Sequence, residues 1–139
     1  MSKINVLLID HDQATKDVIL SQLKKASLDI RLDYSNLADQ IPSKSYDIYV
    51  FGDERQGAPA DCKTILNLKR SHPSAKVIVL SDVSDEEYLQ ELINMHIDGF
   101  IDKADIDVGP IISVASSIKA FRERVNALNE KLVRLHSIQ

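Results

Sequence analysis

Cysteine is nearly missing from this sequence. Of 139 residues only Cys62 carries a thiol, so no intrachain disulfide can form, and a reducing cytoplasm is the expected setting. Tryptophan is absent and aromatics amount to 5%, which leaves aliphatic side chains to build the core. No run reaches the roughly 18 apolar residues that a membrane span needs. The opening stretch MSKINVLLIDHD meets acidic residues at once and has no small-residue cleavage site, so no signal peptide is expected. Glycine is scarce, and IDHDQAT (9–15) contains none, which argues against a P-loop or a dinucleotide fingerprint after the first strand. The four histidines, His11, His72, His96 and His136, lack HExxH or comparable ligand spacing. Only His11 stands among carboxylates, where a transition-metal or pH-sensitive role would arise.

What is present is ordinary for a single soluble domain: 44% hydrophobic and 27% charged residues. The net charge of -4 is unevenly spread. Five Lys/Arg face two Glu from Ile111 to Gln139, a local +3 that leaves residues 1–110 at -7. An acidic body argues against nucleic acid as a direct partner.

Short apolar runs alternate with segments of helical spacing. INVLLI (4–9) predicts a strand, and Ala14, Val18, Ile19, Leu23 and Ala26 predict a helix over about 13–26. IRLDY (30–34) reads as a less apolar strand nearer an edge, followed by a short helix over 36–41 ahead of Pro42. DIYVF (47–51) is a third strand, and a helix over about 61–70 ends at His72-Pro73. Cys62 shares a face of that helix with Ile65 and Leu66, so packing is its expected role. KVIVL (76–80) is a fourth strand. Ser84-Asp85-Glu86-Glu87 fits a capping box that starts a helix bearing Leu89, Leu92 and Ile93. A brief fifth strand surrounds Phe100–Ile101, and Pro110 suits the first turn of a last helix. Successive βα units imply a parallel sheet covered by helices on both faces, with function at the carboxyl ends of the strands.

Polar residues gather at those ends. Asp10, His11 and Asp12 follow the first strand, Asp53 and Glu54 the third, Ser81 and Asp82 the fourth, and Asp102 and Lys103 the fifth. VLLIDHD (6–12), YDIYVFGD (46–53), VIVLSD (77–82) and DGFIDKAD (98–105), in that order, resemble the receiver domain of bacterial response regulators over residues 3 to about 123. The resemblance implies a CheY-like (flavodoxin-like) three-layer α/β/α fold with a five-stranded, doubly wound parallel sheet. It implies a Mg²⁺-holding acidic pair, a phospho-accepting aspartate, a hydroxyl and a lysine on the phosphoryl group, and a switching aromatic. By position, Asp10 matches the first acid, Ser81 the hydroxyl, Lys103 the lysine and Phe100 the aromatic. A carboxylate attacking a phosphoryl group needs a hard cation and fixed positive charge to offset converging negative charge.

Two positions depart from that pattern. His11 stands at the second acid, and Gly52, which has no side chain to phosphorylate, stands at the acceptor. Asp82 also replaces a usually small residue. Imidazole is a poor Mg²⁺ ligand. Because side chains alternate along a strand, Asp53 is expected to turn away from the acceptor direction as an exposed loop residue, unless a bulge brings it back. Glu54 either reaches Lys103 across the space at Gly52 or is solvated. Asp10 and Asp12 are the remaining candidates for a cation, Mg²⁺ being the one the resemblance implies, while Asp12 also suits the cap of the first helix. The bland alternatives are a structural ion pair for Lys103 and a satisfied strand-end hydroxyl for Ser81. A Ser-His-Asp or Cys-His catalytic centre has no support, and no enzymatic activity is expected.

Ile111, Val114, Ile118, Phe121, Val125, Leu128, Leu132 and Leu135 recur at alternating spacings of three and four. Only the first part is needed to cover a sheet. Residues 124–139 are therefore expected to form a helical, coiled-coil-like extension of a receiver domain at 1–123. Its seam (Ile118, Phe121, Val125, Leu128, Leu132, Leu135) would pair two subunits or lead into an output domain. The functional expectation is an atypical receiver in two-component-type signalling that acts by protein contact and homodimerisation. Its contact face would be the helices after Ser84 and Pro110 and the strand between them, with a histidine kinase or a fused output domain as further partners. The alternative is a conventional phosphorelay receiver that takes phosphate on Asp53 with Mg²⁺.

Overall fold

In a computed structural model describing residues 3–36, 42–54, 58–82 and 85–138, five strands form one parallel sheet. They are β1 (Ile4–Ile9), β2 (Ile30–Ser35), β3 (Ile48–Phe51), β4 (Lys76–Ser81) and β5 (Gly99–Asp102), in the order β2-β1-β3-β4-β5. Each is joined in parallel to its neighbours, the doubly wound order with its switch point between β1 and β3. The helices are α1 (Gln13–Leu23), α2 (Cys62–Ser71), α3 (Glu86–Asn94) and α4 (Gly109–Ile138). The short helix expected over 36–41 falls almost wholly outside the described residues.

Alternation along the strands builds two cores. Ile4, Val6, Leu8, Ile48, Val50, Ile78 and Leu80 face α1 and the first turns of α4, packing on Ile19, Leu23, Ile111 and Ala115. Leu7, Ile9, Tyr49, Phe51, Val77 and Val79 face the other way, onto Ile65 and Leu68 of α2 and Leu92 of α3. A strand buried on both faces must be apolar at every position, and β3 is buried throughout. Edge strand β2 is only partly buried, which accounts for its more polar sequence.

Three caps set the helix starts. Asp12 accepts from the Ala14 N–H at 2.9 Å, Asp61 from Lys63 at 3.1 Å and Asp85 from Glu87 at 2.9 Å. The N-cap therefore sits one residue later than the sequence suggested, and no capping box forms around it: Asp85 caps α3, with Tyr88 at the N3 position, and its negative charge also meets the positive end of the helix dipole. Helix α4 continues unbroken past residue 123, and every residue from Asn126 to Ile138 is exposed. Among the described residues, no helix is long and apolar enough to cross a membrane.

Candidate functional site

The strand registers decide which side chains meet. Ile9 is level with Phe51, Phe51 with Val79, and Ser81 with Asp102. The residues just beyond β1, β3 and β5, with Ser81 ending β4, therefore share one rim of the sheet. There Lys103 Nζ lies 3.0 and 3.2 Å from the two Asp10 carboxylate oxygens and 3.2 Å from Asp53 Oδ2. Ser81 Oγ donates to Asp53 Oδ1 at 3.2 Å. Asp10 is fully buried, Asp53 is 7% exposed and the Lys103 side chain 14%. One ammonium thus bridges two buried carboxylates.

Asp53 differs from its expectation. It does not turn outward but enters the rim beside Ser81 and Lys103. Strand β3 ends at Phe51, and residues 52–54 lie outside the ladder, so alternation no longer fixes where Asp53 points. Its backbone stays tethered: His11 N–H donates to Asp53 O at 3.1 Å, and Asp53 N–H donates to Asp10 Oδ2 at 3.3 Å.

Gly52 is the hinge of the arrangement. Its N–H still reaches Ile9 O at 2.6 Å, holding it tight against β1. A Cβ on residue 52 would lie 2.7 Å from Asp10 Cγ and 2.9 Å from Asp10 Cβ, and would overlap Asp10 Oδ2. The volume that a side chain at residue 52 would need is filled by the Asp10 carboxylate. Glycine in a strand often marks such a close approach, and here the approaching group is a charged side chain.

Glu54 does not take Lys103, whose ammonium is held by Asp10 and Asp53; the Glu54 N–H donates to Ala58 O at 2.6 Å. Asp12 caps α1, while Asp10 Oδ1 accepts the Asp12 N–H at 2.7 Å. Asp82 and Asp102 are exposed, the latter accepting from the Ala104 N–H at 3.0 Å. Phe100 is half-buried against the α2–α3 core. His11 Nδ1 lies 3.2 Å from Asp53 O and 3.6 Å from Asp10 Oδ1.

Tyr34 was not legible as part of the rim. Its hydroxyl donates to Asp10 O at 2.6 Å, and the only signal was its place in the strand beside β1. Burial, then the charges of Asp10 and Asp12, push its phenol above the usual range, so it remains a neutral donor at pH 7. Burial pulls the Lys103 ammonium down, but its hydrogen bonds and attraction to Asp10 and Asp53 outweigh that and leave it raised.

The residues do not suit a Mg²⁺ ion. Both Asp10 oxygens already face the lysine, Asp12 serves α1, and an imidazole stands where a second acid would be needed. Among the described residues, no three His, Cys, Asp or Glu side chains converge to hold a metal.

Away from the rim, burial and the Glu91 carboxylate raise the Cys62 thiol to about 11. Thiolate is the reactive form, so alkylation of the native protein near pH 8 is expected to run roughly 100-fold slower than that of the unfolded chain. Timed iodoacetamide labelling with and without denaturant checks this; equal rates would contradict it.

No family model matches the sequence, and no curated protein matches it. Solved structures do. The response regulator DrrB of Thermotoga maritima, an OmpR/PhoB homologue, superposes with a TM-score of 0.64 at 18% identity, over 88% of this chain and 54% of that one. The signal receiver domain of an HD domain-containing protein from Pseudomonas fluorescens gives 0.70 at 16% identity, over 88% and 99%. A CheY-like receiver domain protein from Methanospirillum hungatei gives 0.60 at 16%, over 94% and 99%. The chain thus spans about half of DrrB and nearly all of the two receiver-domain structures. The fold is that of a CheY-like receiver domain.

Proposed function

We propose that this chain is a receiver module of two-component signal transduction that acts by protein contact and dimerisation, without catalysis and without conventional aspartate phosphorylation. The observation that carries the reading is the Asp10 carboxylate in the space above Gly52. It removes the acceptor position and, together with Asp53, consumes the positive charge that would otherwise meet a phosphoryl group. The rim's charges are satisfied from within, and the donor set lacks the oxygen ligands that a divalent cation needs. Contact with a histidine kinase or a fused output domain would run over α3, β5 and α4.

A second reading has one observation in its favour. Asp53 lies beside both Ser81 and Lys103, so it is the carboxylate best placed to accept phosphate. To attack, it must leave Lys103 or share it with the incoming group, with no strong metal site to offset the added charge. Intact-mass analysis after incubation with acetyl phosphate and Mg²⁺ separates the two. The expected spectrum is unchanged; a stoichiometric phosphoryl adduct, lost in Asp53→Asn, would establish the second reading instead.

A further inference from the structure

The dimerisation just proposed leaves open how two copies align, and the exposed half of α4 carries the information. Taking Ile118 as position a, the heptads place Ile118, Val125 and Leu132 at a, and Phe121, Leu128 and Leu135 at d. Phe121, Leu128, Leu132 and Leu135 are each more than half exposed. Ile118, in contrast, packs against the α1-side core of its own domain. We infer that a second copy of this chain covers the stripe as a parallel two-stranded coiled coil running distal to Ile118. This rests on the receiver-dimer reading and specifies its geometry.

Two features select the parallel orientation, and the first is the charge at the flanking positions. Arg124 and Lys131 occupy g, while Arg122, Asn129 and His136 occupy e. In a parallel pair each g residue faces the following e residue of the other strand, so Arg124 meets Asn129 and Lys131 meets His136. Arg122 is held within its own domain, donating to Asp47 Oδ1 at 2.5 Å and to Lys3 O at 3.4 Å. An antiparallel pair would instead set Arg124 against Lys131 twice, with no acid at e or g to relieve it; Glu123 and Glu130 lie on the outer f positions. It would also set Leu135 opposite Ile118, whose apolar surface is already in use.

The test is disulfide trapping of the full chain. In a Cys62→Ser background with unchanged circular dichroism, Leu135→Cys is expected to be dimeric by light scattering at micromolar concentration. It should convert to a covalent dimer on mild oxidation, and adding Leu128→Glu should abolish both while the receiver body stays folded. A dimer that resists trapping through residue 135 alone, yet cross-links when Leu135→Cys and Ile118→Cys chains are mixed, would overturn the parallel alignment and keep the dimer. A monomer would overturn both, the outcome also expected if the stripe is reserved for an acidic partner helix.

Discussion

Replacing Lys103 with methionine is expected to cost about 3–5 kcal/mol of stability at pH 7, the range for removing one partner of a buried ion pair. For a chain of this length that corresponds to a fall in Tm of about 10–15 °C. Methionine keeps the apolar stem out to Cε, so the loss isolates the ammonium. Without it, Asp10 and Asp53 face each other across a buried rim, with Ser81, among the described residues, the remaining side-chain donor to Asp53. Their repulsion is then no longer offset by an ammonium between them. The deficit should shrink at high pH, because the wild type loses its own stabilisation there. Its Lys103 pKa is raised in the folded state, so that contribution is complete below about 10.4 and is lost as pH climbs through the folded value. Urea unfolding of both proteins across pH checks this. A deficit under about 1 kcal/mol, or one independent of pH, would mean that the rim is effectively solvated.

Gly52→Ala should be nearly as damaging, at about 2–4 kcal/mol. The new methyl meets the Cβ and Cγ of Asp10 as well as its carboxylate, so rotating the far end of the side chain does not clear it. Asp10 must leave Lys103 and the N–H groups of Asp12 and Asp53, or β3 must move away from β1. The cause is testable by a double-mutant cycle. In an Asp10→Gly background the clashing atoms are gone, and Gly52→Ala should cost less than about 1 kcal/mol there. Equal costs in both backgrounds would place the strain elsewhere. Gly52→Asp, which introduces a carboxylate at that position, should be worse than alanine for the same steric reason.

These two variants also mark how far the sequence could be read. The parallel sheet, the edge position of β2 and the gathering of Asp10, Ser81 and Lys103 follow from local patterns. An apolar strand that ends in a polar residue delivers that residue to the carboxyl edge, whatever its neighbours are. Asp53 followed a different rule, because alternation holds only while the residue is in the ladder, and the ladder ends at Phe51. Where Asp10 points could not be read from its own surroundings in sequence; it depends on a missing side chain 42 positions away. Gly52 was the visible trace of that dependence. An absent Cβ is ambiguous in sequence: it marks either a lost acceptor, as proposed above, or a space another group uses, and the Asp10 carboxylate uses it here. The α3 cap slipped by one residue because Ser84 and Asp85 both suit the N-cap.

The apolar stripe on α4 was legible because heptad spacing is purely local, and among the described residues nothing in its own domain covers it beyond residue 125. The central claim is that association does not wait for phosphate. Light scattering of the chain at micromolar concentration, before and after incubation with acetyl phosphate and Mg²⁺, tests it most directly. The account predicts the same dimer mass in both samples; a monomer that pairs only after the phosphodonor is added would contradict it.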